Sequence, residues 1–164
     1  MPHPPPMFDR IDPGRDFEGE DVLILWWSLS AYLTEQGRTK EEQLAALGLI
    51  LRRVGSLRLH VMVNLGTAPE QLSDAMRLLL LALVEFEEWM GLDEHEAYDA
   101  AWAMLEHFSS DVGGLYLYIP STDGYLRRVA SDLLSEGVDP VIVAVRTGLG
   151  LRIVKRCKQR AEAA

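Results

Sequence analysis

The residues of this chain best suited to chemistry are the cations near its C-terminus. No acidic residue interrupts the segment 146–160, and at helical spacing Arg152, Lys155, Arg156 and Gln159 fall on one face. Arginine and lysine bind DNA phosphates, and arginine, lysine and glutamine can hydrogen-bond base edges in the major groove. We therefore expect this segment to contact double-stranded DNA. The candidate DNA-binding residues are Arg146, Arg152, Lys155, Arg156, Lys158, Gln159 and Arg160.

The distribution of charge along the chain agrees with this assignment, although the total does not. The net charge is −9. Residues 125–164 carry eight basic and four acidic side chains, a net charge of +4, which leaves −13 on residues 1–124. An acidic body with a basic end is expected when only one segment meets phosphates. A solvated basic helix would have the same charge pattern, so charge alone leaves both interpretations open.

The spacing of small and apolar residues around the basic segment is typical of a helix-turn-helix. Asp139 and Pro140 predict a helix start, with the carboxylate as N-cap and proline at the first helical position. A helix-turn-helix needs a small residue where its helices cross, a glycine in the turn and an inward aliphatic residue beyond it. The residues of this predicted core are Ala144, Gly148, Leu149 and Val154. An ordinary pair of packed helices would satisfy the same pattern.

One hexapeptide before these helices predicts a β-strand. Residues 115–120 read Leu-Tyr-Leu-Tyr-Ile-Pro, with glycines before them. A strand cannot leave its backbone unpaired, and the simplest partner is the same strand of a second copy, antiparallel across a two-fold axis. We therefore expect a homodimer, although a strand within 57–64 is an alternative partner. The predicted dimerisation residues are Leu115, Tyr116, Leu117, Tyr118 and Ile119.

The remaining pattern predicts a mainly α-helical fold in four parts. Residues 1–20 are rich in proline and are expected to form a flexible leader. Residues 21–112 carry several helical periodicities and are expected to form a helical dimerisation domain. Residues 113–121 form the strand and a linker, and residues 122–164 the helix-turn-helix domain. Thr39 and Glu42 have the spacing of a capping box at the start of one helix.

Several classes of function require residues or motifs that this sequence lacks. The single cysteine, Cys157, excludes an internal disulfide and a cysteine metal cluster. The acidic residues around His95 lack a second histidine at helical spacing, so they predict an acidic helix start and not a metal site. No phosphate loop, nucleophile elbow or catalytic triad is present. We expect a cytoplasmic protein without enzymatic activity, cofactor, bound metal or membrane span.

Two stretches before the predicted helix-turn-helix resemble a known family. Residues 90–93 read Met-Gly-Leu-Asp, and residues 106–120 read Glu-His-Phe-Ser-Ser-Asp-Val-Gly-Gly-Leu-Tyr-Leu-Tyr-Ile-Pro. Over residues 89–160 the chain resembles the Mor transcription activator family of Mu-like bacteriophages, whose pattern has Leu-Gly-Val-Asp, a glycine pair and Val-Tyr-Ile-Pro at these places. The chain departs from that pattern at Ser121 and over 134–139, where basic residues of the family are missing.

The resemblance implies a dimeric activator that contacts host RNA polymerase. It implies dimerisation through residues 83–108 and an intermolecular pair of the strands 115–119. It also implies DNA contact by Arg146 and by residues 151–160, with one helix-turn-helix per subunit in adjacent major grooves. From the residues and the resemblance together, we expect a sequence-specific DNA-binding transcriptional regulator. The alternative is a helical protein–protein interaction module, an anti-activator or adaptor, in which the helix-turn-helix is not essential.

Overall fold

The structure, a computed structural model, describes residues 7–55, 60–62 and 69–163. The described residues are mainly α-helical, as predicted, and none of their helices is both long and apolar enough to cross a membrane. The helices are α1 (Pro13–Asp16), α2 (Val22–Glu35), α3 (Lys40–Val54), α4 (Asp74–Trp89), α5 (Glu94–Val112), α6 (Asp123–Ser135), α7 (Pro140–Thr147) and α8 (Leu151–Ala163). Two strands, β1 (His60–Met62) and β2 (Tyr116–Tyr118), and two short 3-10 helices, Phe8–Arg10 and Pro69–Gln71, complete the described elements.

Side-chain caps determine where several of these helices begin. Thr39 and Glu42 form the predicted capping box at the start of α3, because each side chain binds the other residue's backbone N–H. The Asp93 carboxylate accepts a hydrogen bond from the Glu96 N–H at the start of α5. Asp139 does the same for α7, accepting from the Val141 N–H at 2.8 Å. These local bonds explain why the helix starts could be predicted.

The predicted strand pairs within its own chain, so a second copy is not needed to pair its backbone. β2 lies antiparallel to β1, with Tyr118 opposite His60 and Leu117 opposite Val61. The partner therefore comes from the segment 57–64, the alternative that the sequence left open. Because β1 supplies backbone partners to β2, the hydrogen-bond argument for a homodimer no longer holds.

The expected flexible leader is also wrong for residues 7–20, which pack against the helices. Phe8, Ile11 and Phe17 are buried. The Phe8 ring lies over Gly48 of α3, so closely that a Cβ at Gly48 would stand 2.2 Å from the ring. The same ring lies 6.0 Å from the ring of Tyr125 in α6. Burial of each of these three apolar side chains is worth about 1.5–3 kcal/mol, and the one proline of residues 7–20, Pro13, begins α1. Residues 1–6 lie outside the described residues.

One core extends through the described molecule. In it, α4 packs against α3 and α5, and α2 packs against α3 and α5. A single cluster of buried apolar side chains runs from Phe8 to Cys157 and includes residues of α6, α7 and α8. At Gly55 the backbone approaches Pro120 so closely that a Cβ would stand 2.2 Å from the Pro120 carbonyl oxygen. The end of the segment 113–121, expected as a strand and a linker, is therefore packed against the C-cap of α3.

Candidate nucleic-acid interface

The last three helices form a compact unit that holds the predicted DNA-binding residues. α6 packs against both α7 and α8, and α7 packs against α8. α7 ends at Gly148, which has a left-handed backbone conformation with φ of 75° and donates its N–H to the Ala144 carbonyl. Glycine suits this position because it carries no Cβ. The connection between α7 and α8 is consequently only three residues long, 148–150.

A buried threonine, which the sequence analysis did not single out, orders this connection. The Thr147 hydroxyl donates a hydrogen bond to the Val143 carbonyl at 2.8 Å and accepts one from the Leu149 N–H at 3.3 Å. Thr147 and Leu149 are both buried. A hydroxyl residue directly before a helix-ending glycine is the sequence signal that could have identified this role.

The inner and outer faces of α8 differ completely in character. Val154 and Cys157 are buried, Leu149 is buried just before the helix, and Ala144 of α7 is half-buried. Gly148 is exposed in the turn. All seven candidate DNA-binding residues are exposed, and none of them takes part in an ion pair with a described residue. We call these seven the basic face: Arg146, Arg152, Lys155, Arg156, Lys158, Gln159 and Arg160.

The acidic residues near the C-terminus lie mostly on α6 and the start of α7, and do not neutralise the basic face. Asp132 pairs with Arg128 at 2.7 Å, and Glu136 pairs with Arg10 at 3.5 Å. Asp139 caps α7. Glu162, the fourth, lies on α8 but forms no ion pair with a described residue, and no carboxylate lies within 146–160.

The start of α8 also differs from the starts of α3, α4, α5 and α6. Acidic side chains occupy the first turns of α3, α4, α5 and α6. The first turn of α8 has none and carries Arg152 instead. The backbone N–H groups at a helix N-terminus carry a partial positive charge, so Arg152 adds to it instead of offsetting it. No acidic side chain in this turn compensates either charge, so an external anion would be attracted to this end of α8.

One cation counted in the basic end is used inside the protein. Arg128 of α6 donates to the carboxylates of Asp16 and Asp132 and to the Arg10 carbonyl. The hydrogen bonds and charge of Asp16 raise the pKa of Arg128, which keeps it a permanent cation. Arg128 therefore connects α6 to the N-terminal segment and does not belong to the basic face. Charge counting could not distinguish it from the exposed Arg127.

The predicted dimerisation residues are divided between the two sides of β2. Leu117 and Ile119 are buried in the chain's own core, whereas Leu115, Tyr116 and Tyr118 are exposed. The Tyr118 N–H donates to Asp21 Oδ2, at the start of α2, at 3.1 Å. Only part of this segment is therefore accessible to another molecule.

The described residues contain no group of three or more histidine, cysteine or acidic side chains that could hold a metal ion. Comparisons with protein-family models, curated proteins and solved structures find no match to this chain. The resemblance to the Mor family therefore stays a prediction from its motifs.

Proposed function

We propose that this chain is a sequence-specific DNA-binding transcriptional regulator, in which α7 and α8 act as a helix-turn-helix and α8 is the recognition helix. The observation that carries the proposal is the basic face, whose cations are exposed and form no ion pair with a described residue. Such unpaired cations give up no internal partner when they meet phosphates, so their binding energy is available to the complex.

The dimensions of α8 suit this role. Its 13 residues give a length of about 20 Å, and the major groove of B-DNA, about 12 Å wide, accepts one helix. In a helix-turn-helix the N-terminal part of the second helix contacts base edges. Arg152, Lys155, Arg156 and Gln159 would then read bases. Arg146, Lys158 and Arg160 would contact phosphates, which set the register of the protein on the duplex.

The direction of regulation rests on the family resemblance. A Mor-like regulator would activate transcription as a homodimer and contact host RNA polymerase. We propose these three properties on the strength of the resemblance alone. Because β2 pairs with β1 of its own chain, the backbone of β2 does not itself require a dimer.

A selection of bound fragments from a genomic library, followed by a gel-shift titration, tests the proposal. We expect the wild type to select some fragments over bulk DNA at moderate salt. Arg152→Ala with Arg156→Ala should weaken selective binding at least about thirtyfold, because each bidentate base contact is worth about 1–3 kcal/mol. Lys40→Ala with Arg127→Ala is the matched control, since it removes two exposed cations away from the basic face.

Two results would overturn the proposal. One is a wild type that selects no fragment over bulk DNA. The other is an Arg152→Ala, Arg156→Ala variant that binds its selected DNA as tightly as the control variant does.

A second candidate function, a protein–protein interaction module, is favoured by one observation, the exposed apolar side chains of α7.

A further inference from the structure

The outer face of α7 carries apolar side chains that the fold does not use. Val141, Ile142 and Val145 are 56%, 46% and 79% exposed. Val145 lies four residues after Val141 and three after Ile142, so its side chain is next to both and the three form one patch on the helix. β-branched residues are poor helix formers, and at exposed positions packing gives no compensation. These residues therefore stabilise neither the helix nor the core, which is the pattern of a surface that docks elsewhere.

A cation borders this apolar patch. Arg146 follows Ile142 by one helical turn, so the two side chains are neighbours on the surface of α7. Arg146 is exposed and takes part in no ion pair with a described residue. The outer face of α7 thus presents three branched apolar side chains and one uncompensated positive charge.

A cleft between α4 and α5 has the complementary character. Its volume is about 530 Å³, and its walls include Leu80, Leu81, Val84 and Tyr98. Leu81 and Tyr98 are 48% and 40% exposed. The Tyr98 ring stacks on Trp102, with centroids 6.3 Å apart and planes 14° from parallel, so one wall of the cleft is a fixed aromatic surface. An apolar helix face could lie against this wall.

The rim of the cleft is acidic. It is formed by Glu88 at the end of α4 and by Glu94 and His95 at the start of α5. Both carboxylates are exposed, and neither pairs with a cation among the described residues. The described residues therefore include one uncovered apolar surface bordered by a cation, on α7, and another bordered by two carboxylates, between α4 and α5.

We propose that α7 of one copy docks into the α4–α5 cleft of a second copy of this chain. Val141, Ile142 and Val145 then lie on Leu81 and Tyr98, and Arg146 faces the carboxylates of Glu88 and Glu94. Apolar surface meets apolar surface, and opposite charges set the orientation. A contact made by one helix of eight residues is small for a protein interface. We expect dissociation constants on the order of micromolar.

This self-association is independent of the proposed DNA binding except at Arg146, which both would use. It is tested without DNA, so a failure of either proposal leaves the other unaffected. The contact also differs from the predicted strand pair, because it involves neither β1 nor β2.

Sedimentation of two complementary variants tests the contact. Val145→Asp places a carboxylate on α7 but leaves the cleft intact, and Leu81→Asp spoils the cleft but leaves α7 intact. Each variant alone should associate at least tenfold more weakly than the wild type. Mixed in equal amounts, they should form a one-to-one heterodimer, because one supplies the intact cleft and the other the intact helix. Both sites are exposed, and unchanged circular dichroism verifies that each variant folds.

Two further variants make the test specific. Trp27→Ser removes an exposed apolar side chain of α2, outside both surfaces, and should associate as the wild type does. Glu88→Lys and Arg146→Glu should each weaken association, and the chain that carries both changes should recover it. The proposal is overturned by a wild type that stays monomeric at 100 µM or by complementary variants that form no heterodimer when mixed. Association that is lost in Trp27→Ser but kept in Val145→Asp also overturns it.

Discussion

Arg128 illustrates how a single cation can belong to a basic segment and still serve the core. Its guanidinium is bound by Asp16, Asp132 and the Arg10 carbonyl. The Asp16 side chain is only 3% exposed. A carboxylate so deeply buried depends on its cation, because water cannot replace the lost partner. Arg128 thus contributes to stability through the acid that it neutralises.

We expect Arg128→Ala to lower the free energy of unfolding by about 3 kcal/mol, since it leaves the buried Asp16 carboxylate without its cation. Arg127→Ala, one residue earlier and exposed, should change it by less than about 0.5 kcal/mol. Urea unfolding followed by circular dichroism measures both. Equal effects of the two substitutions would contradict the role assigned to Arg128.

Glu87 is a second buried ionisable side chain, and its titration makes the stability of the fold depend on pH. It lies on α4 and pairs with Arg38 at 3.1 Å. Burial raises the pKa of Glu87 above its ordinary value of 4.5, and the charge of Arg38 only partly offsets this. The folded protein therefore holds this proton more tightly than the unfolded chain does. Its contribution to stability falls as pH rises from 4.5 through the folded pKa.

We expect the variant Glu87→Gln to lose this pH dependence. The unfolding free energy of the variant minus that of the wild type should therefore increase from pH 4 to pH 7. Urea titrations at several pH values in that range measure this difference. Glu88→Gln, at the exposed neighbouring position, controls for the substitution itself. A difference for Glu87→Gln that falls with rising pH would show that the sign is wrong.

At the scale of elements, what could be predicted was set by local chemistry. The capping box of Thr39 and Glu42, and the start of α7 at Asp139 and Pro140, depend on bonds that span four residues or fewer. The outward direction of the cations on α8 followed from helical periodicity alone. The pairing of β2 with β1 could not be decided, because it joins residues more than fifty positions apart and two partners satisfied the same backbone groups.

The N-terminal segment was misjudged for a related reason. Its proline content argued for flexibility, whereas its position is decided by contacts with distant residues. Phe8 fits over Gly48 and beside Tyr125, and neither contact leaves a signal in the local sequence. The contact between Arg128 and Asp16 is likewise visible only once the fold is known.

The turn between α7 and α8 yields an element-scale prediction. Gly148→Ala should destabilise the protein by about 1–2 kcal/mol, because an L-residue with a left-handed backbone brings its Cβ too close to a carbonyl. Gly150→Ala, two residues later, has no positive φ and no atom within 4 Å of its added Cβ, so it should be nearly neutral. Thermal unfolding of the two variants compares them directly. A Gly150→Ala variant as unstable as Gly148→Ala would contradict this account of the turn.

At the scale of the whole molecule, the packing joins the basic end to the acidic body. The core cluster includes side chains from the N-terminal segment, the central helices and α6 to α8. The charge, by contrast, is strongly divided, with −13 before residue 125 and +4 after it. Because one core joins the two parts and their charges are opposite, a polyanion attracts the basic end and repels the acidic body, which orients the molecule.

We expect the described helices to unfold together, because they share this core. The four tryptophans lie in α2, α4 and α5, at positions 26, 27, 89 and 102, so fluorescence reports only on the body. Circular dichroism also reports on α6, α7 and α8. Urea transitions measured by the two methods should therefore have the same midpoint. A separate transition seen by circular dichroism alone would indicate that the last three helices fold independently.

The hydrogen bond from the Tyr118 N–H to Asp21 has a consequence for aggregation. Exposed strands with unpaired backbone donors are templates on which other chains can add strands. Here a carboxylate at the start of α2 already accepts a donor of β2, so that donor is not offered to an incoming strand. The negative charge also repels the acidic body of another copy. Asp21 thus helps to keep a two-stranded ribbon from growing into a larger intermolecular sheet.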